Sequence, residues 1–180
     1  MDERALGLET RRRIYAHVRA HPGAYLREMQ RVLAMSMGAL EYHLGQLEAA
    51  GLLRVEQGEN KRFYAASVPE RDARVLGLLR QAIARRVMLT LLESGPASHQ
   101  ELMAATGLRS STLTYHAKKL AEADLVARER SGRETLYRLL DADRVTRLLV
   151  EYRASFVDRI VDAFVESFEA FGGDEREDGH

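Results

Sequence analysis

Apolar residues recur every three to four positions in several segments of the chain, and short polar or turn-forming runs separate these segments. The pattern predicts a helix over about 10–20, a short helix over about 26–33, and a third helix beginning near Ser36. Two segments with strand character, 52–56 and 62–65, then follow on either side of a turn. The order helix, helix, turn, helix, hairpin predicts a winged helix.

The same order of elements occurs a second time. Residues 12–64 align with residues 85–137 without a gap when the sequence is shifted by 73 positions. Tyr42-His43 meets Tyr115-His116 in this alignment, and many other pairs exchange one apolar residue for another. An ungapped match of this length indicates two consecutive copies of one small fold.

Further elements are predicted outside the repeat. The second copy should begin with an unusually long helix, from about 72 to 93, whose extra apolar turns must pack against the first copy or another chain. The expected organisation has four parts: domain 1 over 1–68, domain 2 over 69–140, a C-terminal helix over 141–171, and a disordered acidic tail over 172–180.

The segment 141–171 contains no proline or glycine and has apolar residues three and four positions apart, which predicts an amphipathic helix of about eight turns. One small winged helix cannot cover so long a stripe, so pairing with the same helix of a second chain predicts a homodimer. The alternative is a helix folded back across both domains of a monomer. The residues expected at the dimer contact are Leu149, Tyr152, Phe156, Ile160, Phe164 and Phe168.

Composition narrows the function. The chain has no cysteine, which excludes disulfides, thiolate zinc sites and cysteine nucleophiles. The sequence shows no phosphate loop, serine elbow or metal-ligand cluster, so we expect neither an enzyme nor a bound cofactor or metal. Neither a signal peptide nor a membrane span is evident, which favours a cytoplasmic location.

The formal net charge of zero hides an uneven distribution. Residues 71–140 carry 12 Lys and Arg against 7 Asp and Glu, whereas residues 141–180 carry 5 against 11. A basic middle region and an acidic end indicate different partners for the two regions. The basic region is the one that favours nucleic acid.

The segments 38–44 and 47–53, with 113–116 and 123–126 in the second copy, resemble the winged-helix transcriptional regulators of archaea, including tandem forms, and more distantly ArsR-type and MarR-type repressors. The resemblance implies a mainly α fold with small β-hairpin wings, whose third helix enters the major groove of double-stranded DNA. The second copy departs from the pattern at Asp124, where the first copy has Gly51. Aspartate tolerates a left-handed backbone less well than glycine.

The third helices of the two copies differ in charge. In the first copy the outward positions bear no positive charge, so we expect the second copy to be the main DNA-binding domain. Its predicted contacts are Arg109, Ser110, Ser111, Thr112, Thr114, Tyr115, Lys118 and Lys119 on the helix, with Arg128, Arg130 and Arg133 on the wing. The weaker contacts predicted for the first copy are Tyr42, Gln46, Lys61 and Arg62.

Arg27 and Arg31 on the second helix of the first copy are further candidates for DNA contact, or else ordinary solvated residues. The first copy could also bind protein instead of DNA. The sequence therefore favours a dimeric DNA-binding transcriptional regulator, with a protein-interaction or chromosome-organising factor as the alternative.

The histidines favour structural roles. We expect His43 and His116 to hydrogen-bond backbone groups beside the core stripe rather than to act in catalysis. His17 and His21 have a spacing that can bind metal on a helix, but His21 precedes Pro22, so capping of the helix end is favoured.

Overall fold

The computed structural model describes residues 8–58, 60–132, 134–156, 161 and 164–167. It divides into two units, Met1–Gly77 and Leu78–His180. In each unit, three helices and a hairpin form a winged helix, which confirms the predicted fold class of mainly helical domains with small antiparallel sheets.

Unit 1 packs its helices over a three-stranded antiparallel sheet, in which Arg62–Ala65 lies between Ala24–Tyr25 and Leu53–Glu56. Its core contains the predicted apolar stripes, with Ile14, Met29 and Leu40 fully buried. Ser36 caps the third helix by accepting a hydrogen bond from the backbone N–H of Ala39 at 3.3 Å. The elements are α1 Glu9–Ala20, β1 Ala24–Tyr25, α2 Leu26–Leu33, α3 Met37–Ala49, β2 Leu53–Glu56, β3 Arg62–Ala65 and α4 Glu70–Leu79.

Unit 2 repeats the arrangement, with Glu134–Leu139 between Ala97–Ser98 and Val126–Ser131 in its sheet. Ser98 and Glu101 form a capping box: Ser98 N–H donates to the Glu101 carboxylate at 2.7 Å, and Glu101 N–H donates to Ser98 Oγ at 3.3 Å. These hydrogen bonds lower the pKa of Glu101. The elements are α5 Ala82–Ser94, β4 Ala97–Ser98, α6 His99–Thr106, α7 Ser110–Glu122, β5 Val126–Ser131, β6 Glu134–Leu139, α8 Ala142–Glu151 and a 3-10 turn, Arg153–Ser155.

Two turns of each copy have a left-handed backbone. After the second helix, Ala34 has a φ of 53° where unit 2 has Gly107 at 67°. After the third helix, Asp124 has a φ of 56° where unit 1 has Gly51 at 68°. The copies therefore share the backbone shape, but each has glycine at only one of the two positions.

The predicted long helix over 72–93 is wrong in its continuity, because α4 ends at Leu79 and α5 begins at Ala82. Side-chain hydrogen bonds are made on both sides of this break. The buried Arg85 guanidinium donates to the Leu79 carbonyl, and Lys119 Nζ donates to Gln81 Oε1 at 3.0 Å. Tertiary hydrogen bonds thus stabilise an interruption that local periodicity does not signal.

The single helix predicted over 141–171 is also wrong in its continuity. Helix α8 ends at Glu151, and the chain turns through the 3-10 segment to Phe156, which is extended and only 3% exposed. Arg80 donates to Ser155 Oγ at 2.7 Å, and the Arg85 guanidinium lies 5.7 Å from the Phe156 ring centroid. Burial of Phe156 against these groups favours a turn over a continued helix.

The expected dimer residues are distributed differently from the prediction. Leu149 and Phe156 are buried within their own chain, so they are not exposed for contact with a second chain. Tyr152 and Phe164 are half-buried. Ile160, Phe168 and the predicted tail over 172–180 lie outside the described residues.

Candidate nucleic-acid interface

The outward face of α7 carries the polar residues predicted for DNA contact. Leu113, Ala117 and Leu120 are buried on the opposite face and fix the rotation of the helix. Tyr115 is 59% exposed. The exposed residues of this face and its entrance are Arg109, Ser110, Ser111, Thr114, Tyr115 and Lys118, while Thr112 is half-buried.

The two lysines of α7 have different surroundings. Lys118 is exposed and pairs with Glu122 one turn later, with an Nζ–Oε1 distance of 3.7 Å. A solvent-exposed pair of this type contributes little stability, so a phosphate can replace the carboxylate at small cost. Lys119 is half-buried and bound to Gln81, which places it in the support of the helix rather than on its outward face.

His99 connects the wing to the start of α7 and was not singled out from the sequence. Its Nε2 lies 3.0 Å from Ser110 Oγ, and its Nδ1 lies 3.2 Å from the Tyr137 hydroxyl of β6. In unit 1 the aligned residues are Leu26, in place of His99, and Met37, in place of Ser110. A polar pair replacing an apolar pair within the repeat is the sequence signal that could have revealed this bridge.

The wing of unit 2 presents arginines from two six-residue strands. Arg128 is exposed, with its guanidinium 5.9 Å from the Tyr137 ring centroid, and Arg130 donates through Nε to the Gly132 carbonyl at 3.4 Å. Arg138 is a further exposed cation that sequence reasoning missed, and it pairs with Glu129 at 2.8 Å. Arg133 lies outside the described residues.

The candidate DNA contacts in unit 1 differ from one another in exposure and charge. Tyr42 is 63% exposed on α3, and Gln46 and Lys61 are also exposed. Arg62 is half-buried, because its guanidinium packs over the Tyr25 ring with a centroid distance of 4.7 Å. Helix α3 itself contains no Lys or Arg.

The repeated histidines, His43 and His116, lack a hydrogen bond to any described residue at one of their two ring nitrogens. The Nδ1 atoms of His43 and His116 are buried and have no hydrogen-bond partner among the described residues. Burial, together with the neighbouring Lys119 charge, lowers the pKa of His116. A neutral imidazole filling space beside the core suits this environment better than a charged one.

His17 and His21 lie at the end of α1, with ring centroids 4.5 Å apart. His21 is the residue that follows the helix, and its backbone N–H donates to the His17 carbonyl, which agrees with the predicted place at the helix end. Across the described ranges, no group of three or more histidine or acidic residues is arranged to hold a metal ion.

Both units are helix-turn-helix domains by their elements, and family models match them in turn. Residues 8–76 match a model described as an N-terminal HTH domain, and residues 85–134 match the model of the MarR family. Unit 1 is thus similar to an N-terminal HTH domain and unit 2 to domains of the MarR family, which confirms the resemblance found in the sequence.

One curated relative is also described as an HTH-type protein. The chain is 30% identical over 137 residues to the uncharacterized HTH-type transcriptional regulator MJ1398 of Methanocaldococcus jannaschii. The alignment spans 76% of this chain and 34% of the relative. The chain therefore spans about a third of the length of that relative.

Solved structures of AbfR resemble the chain at low identity. One is a disulfide-formed state and the other an overoxidized state bound to DNA, and each is 19% identical with a TM-score of 0.41. The alignments cover 82% of this chain and 92% and 97% of the respective AbfR chains.

Within the part of the chain that the structure describes, every helix is too short or too polar to cross a membrane.

Proposed function

We propose that this protein is a DNA-binding transcriptional regulator in which unit 2 recognises a preferred DNA sequence. The observation that carries the proposal is the exposed face of α7, where hydroxyl groups, a tyrosine and Lys118 stand opposite a fully apolar face. Side chains of this kind bind base edges and phosphates when a helix enters the major groove. The exposed Arg128 and Arg130 of the wing add phosphate or minor-groove contacts.

The proposal assigns separate roles to the residues of α7. Ser111, Thr114 and Tyr115 contact bases or the sugar-phosphate backbone, and Lys118 neutralises a phosphate. Lys119 supports the helix from behind through its hydrogen bond to Gln81 and is not part of the proposed contact surface. Arg109, Ser110 and Thr112 lie at the helix start, where backbone N–H groups also favour a phosphate.

The experiment is selection of binding sites from genomic fragments by the intact protein, followed by mobility shift at two salt concentrations. Lys118→Ala should weaken binding and reduce its salt dependence, because one phosphate contact is lost. Lys119→Ala is the matched control on the same helix and should retain the salt dependence. Failure of the intact protein to bind any fragment at low salt would overturn the proposal.

The homodimer and the cytoplasmic location expected from the sequence belong to the same proposal. With Leu149 and Phe156 buried within the chain, a dimer contact would have to use other residues of the C-terminal segment, such as Tyr152 and Phe164. Light scattering on the intact chain distinguishes a monomer from a dimer. A monomer at micromolar concentration would remove the dimer from the proposal without affecting DNA binding.

A protein-interaction factor is the second candidate, and one observation favours it. The exposed face of α3 in unit 1 presents Tyr42 and Gln46 together with Glu41 and no cation. An exposed aromatic on a helix without cations is typical of protein contacts. Absence of DNA binding in the selection experiment would favour this candidate, whereas binding without a preferred sequence would favour a chromosome-organising factor.

A further inference from the structure

Unit 1 contains a cavity of about 500 Å³ outside the outward face of α3. The first turn of α2, the first residue of α3 and the turn between β2 and β3 meet at this cavity. The residues that line it are Tyr25, Leu26, Arg27, Glu28, Arg31, Met37, Asn60 and Lys61.

The lining carries an excess of positive charge. Arg27, Arg31 and Lys61 are all exposed, and among the described residues no carboxylate lies within ion-pair distance of them. Glu28 is the acidic residue of the lining, and its carboxylate accepts a hydrogen bond from the Tyr25 N–H at 3.4 Å. Three cations against one engaged carboxylate create a site for an anion.

The cavity differs from its counterpart in unit 2. Arg27 aligns with Gln100, Arg31 with Ala104 and Lys61 with Glu134, so none of the three charges is repeated. In unit 2 the cations proposed for DNA contact lie instead on α7 and on the wing strands. The two copies therefore present these candidate cations at different positions of the same fold.

We infer that the cavity of unit 1 binds the phosphodiester backbone of double-stranded DNA without regard to sequence. The inference rests on the proposed function and adds a second, chemically different contact to it. Two arginines one helical turn apart, facing a lysine across a groove, suit the oxygens of successive phosphates. The side chains are exposed rather than enclosed, which fits a long polyanion better than a small buried ligand.

The proposal predicts a division between the units. Unit 2 supplies the difference in affinity between DNA sequences, and unit 1 supplies affinity that is equal for all of them. Contacts to phosphates position a protein on the duplex but carry no sequence information. Unit 1 can therefore contribute to binding although its α3 lacks cations.

The test compares variants of the intact chain on a selected duplex and on a scrambled duplex by fluorescence anisotropy. Arg27→Gln with Arg31→Ala introduces the residues that unit 2 has at the aligned positions. Loss of two phosphate contacts should make the slope of log affinity against log salt shallower by about 2, equally on both duplexes. Between about 50 and about 200 mM salt, the wild-type chain should therefore lose roughly tenfold more affinity than the double variant.

Arg13→Gln with Arg19→Ala is the charge-matched control, because both residues are exposed on α1 and outside the cavity. An equal change of slope in both double variants would overturn the proposal, since net charge alone would then explain it. If the variant with Arg27→Gln and Arg31→Ala, here called the α2 variant, unfolds, Lys61→Glu tests the opposite side of the cavity. It should also weaken binding to both duplexes equally.

Other results separate this inference from the proposed function. Selective binding that persists with an unchanged slope in both cavity variants would overturn the inference and leave the proposed function intact. No DNA binding by the wild-type chain would overturn both. Inorganic pyrophosphate that binds the wild-type chain but not the α2 variant, with an unchanged DNA slope, would identify a site for free anions and overturn the proposal.

Discussion

The two units share one backbone plan but differ in the chemistry of their third helices. Helix α7 of unit 2 has exposed hydroxyl groups and Lys118, whereas the aligned positions of α3 in unit 1 are Gly38, Glu41 and Gly45. The buried stripes behind these faces match, with leucine in both copies at two of the three positions and Leu44 replaced by Ala117 at the third. The difference shows that the core of a winged helix places no requirement on its outward face, so each copy can acquire its own partner.

The wings extend the contrast. The strands of unit 2 have six residues each and present Arg128, Arg130 and Arg138, whereas the strands of unit 1 have four. In unit 1 the wing arginine Arg62 packs on Tyr25 instead of extending outward. The cations proposed to contact DNA lie at the cavity beside α2 in unit 1, and on the third helix and the wing in unit 2.

The largest effect is expected from exchanging the central residue of the outward face. Thr114→Glu gives α7 the acid that α3 has at Glu41, and a carboxylate facing phosphates and base edges should lower DNA affinity at least about tenfold, equivalent to about 1.4 kcal/mol. Anisotropy titration measures the change, and circular dichroism verifies folding.

The reverse exchange, Glu41→Thr, is the matched control in unit 1. It should change affinity far less, because unit 1 is expected to contact DNA through other residues. A larger effect from Glu41→Thr than from Thr114→Glu would reverse the assignment of roles to the two units.

A smaller effect is expected from removing the bridge between wing and helix. His99→Leu gives unit 2 the residue of unit 1 and removes the contacts to Ser110 and Tyr137. The loss of two hydrogen bonds should lower the free energy of unfolding by about 1–2 kcal/mol. Urea denaturation followed by circular dichroism measures it. Unchanged stability would mean that solvent replaces both contacts in the folded state.

Substitutions at the left-handed turns should change the free energy of unfolding by about 1 kcal/mol. Ala34→Gly should stabilise unit 1 by about 0.5–1 kcal/mol, because it relieves a side chain held at positive φ. Gly107→Ala should destabilise unit 2 by about 1 kcal/mol, since an added Cβ meets no atom within 4 Å and only the backbone conformation is penalised. Opposite signs in thermal melts are the expected result, and equal signs would contradict it.

The smallest effect concerns pH. Because the pKa of His116 is lowered in the folded state, the unfolded state takes up the proton first as pH falls below the ordinary histidine value of about 6.5. Stability is therefore complete above that pH and declines as pH falls toward the folded pKa.

The wild-type chain should accordingly lose more thermal stability between about pH 7.5 and about pH 5.5 than His116→Gln does. Lys119→Gln removes a charge that contributes to the shift and should reduce the loss in part. Identical pH dependence of the wild-type chain and His116→Gln would show that this imidazole does not control acid stability.

The sequence alone determined the two winged helices and the side chains of their outward faces. A helical or alternating apolar period is a local property, and once the buried stripe is known, the exposed face follows from geometry. The positions of Thr114, Tyr115 and Lys118 were therefore predictable, as was the capping box at Ser98.

Only the tertiary structure decided where the helices end and which positively charged side chains are engaged in contacts within the chain. The breaks after Leu79 and Glu151 contain no proline or glycine and depend on contacts of Arg80 and Arg85 with residues distant in sequence. The attachment of Lys119 to Gln81 spans 38 positions and is equally invisible to periodicity. Local pattern specifies the turn of a helix, but long-range hydrogen bonds and burial specify its end, because their free energy depends on residues that meet only after folding.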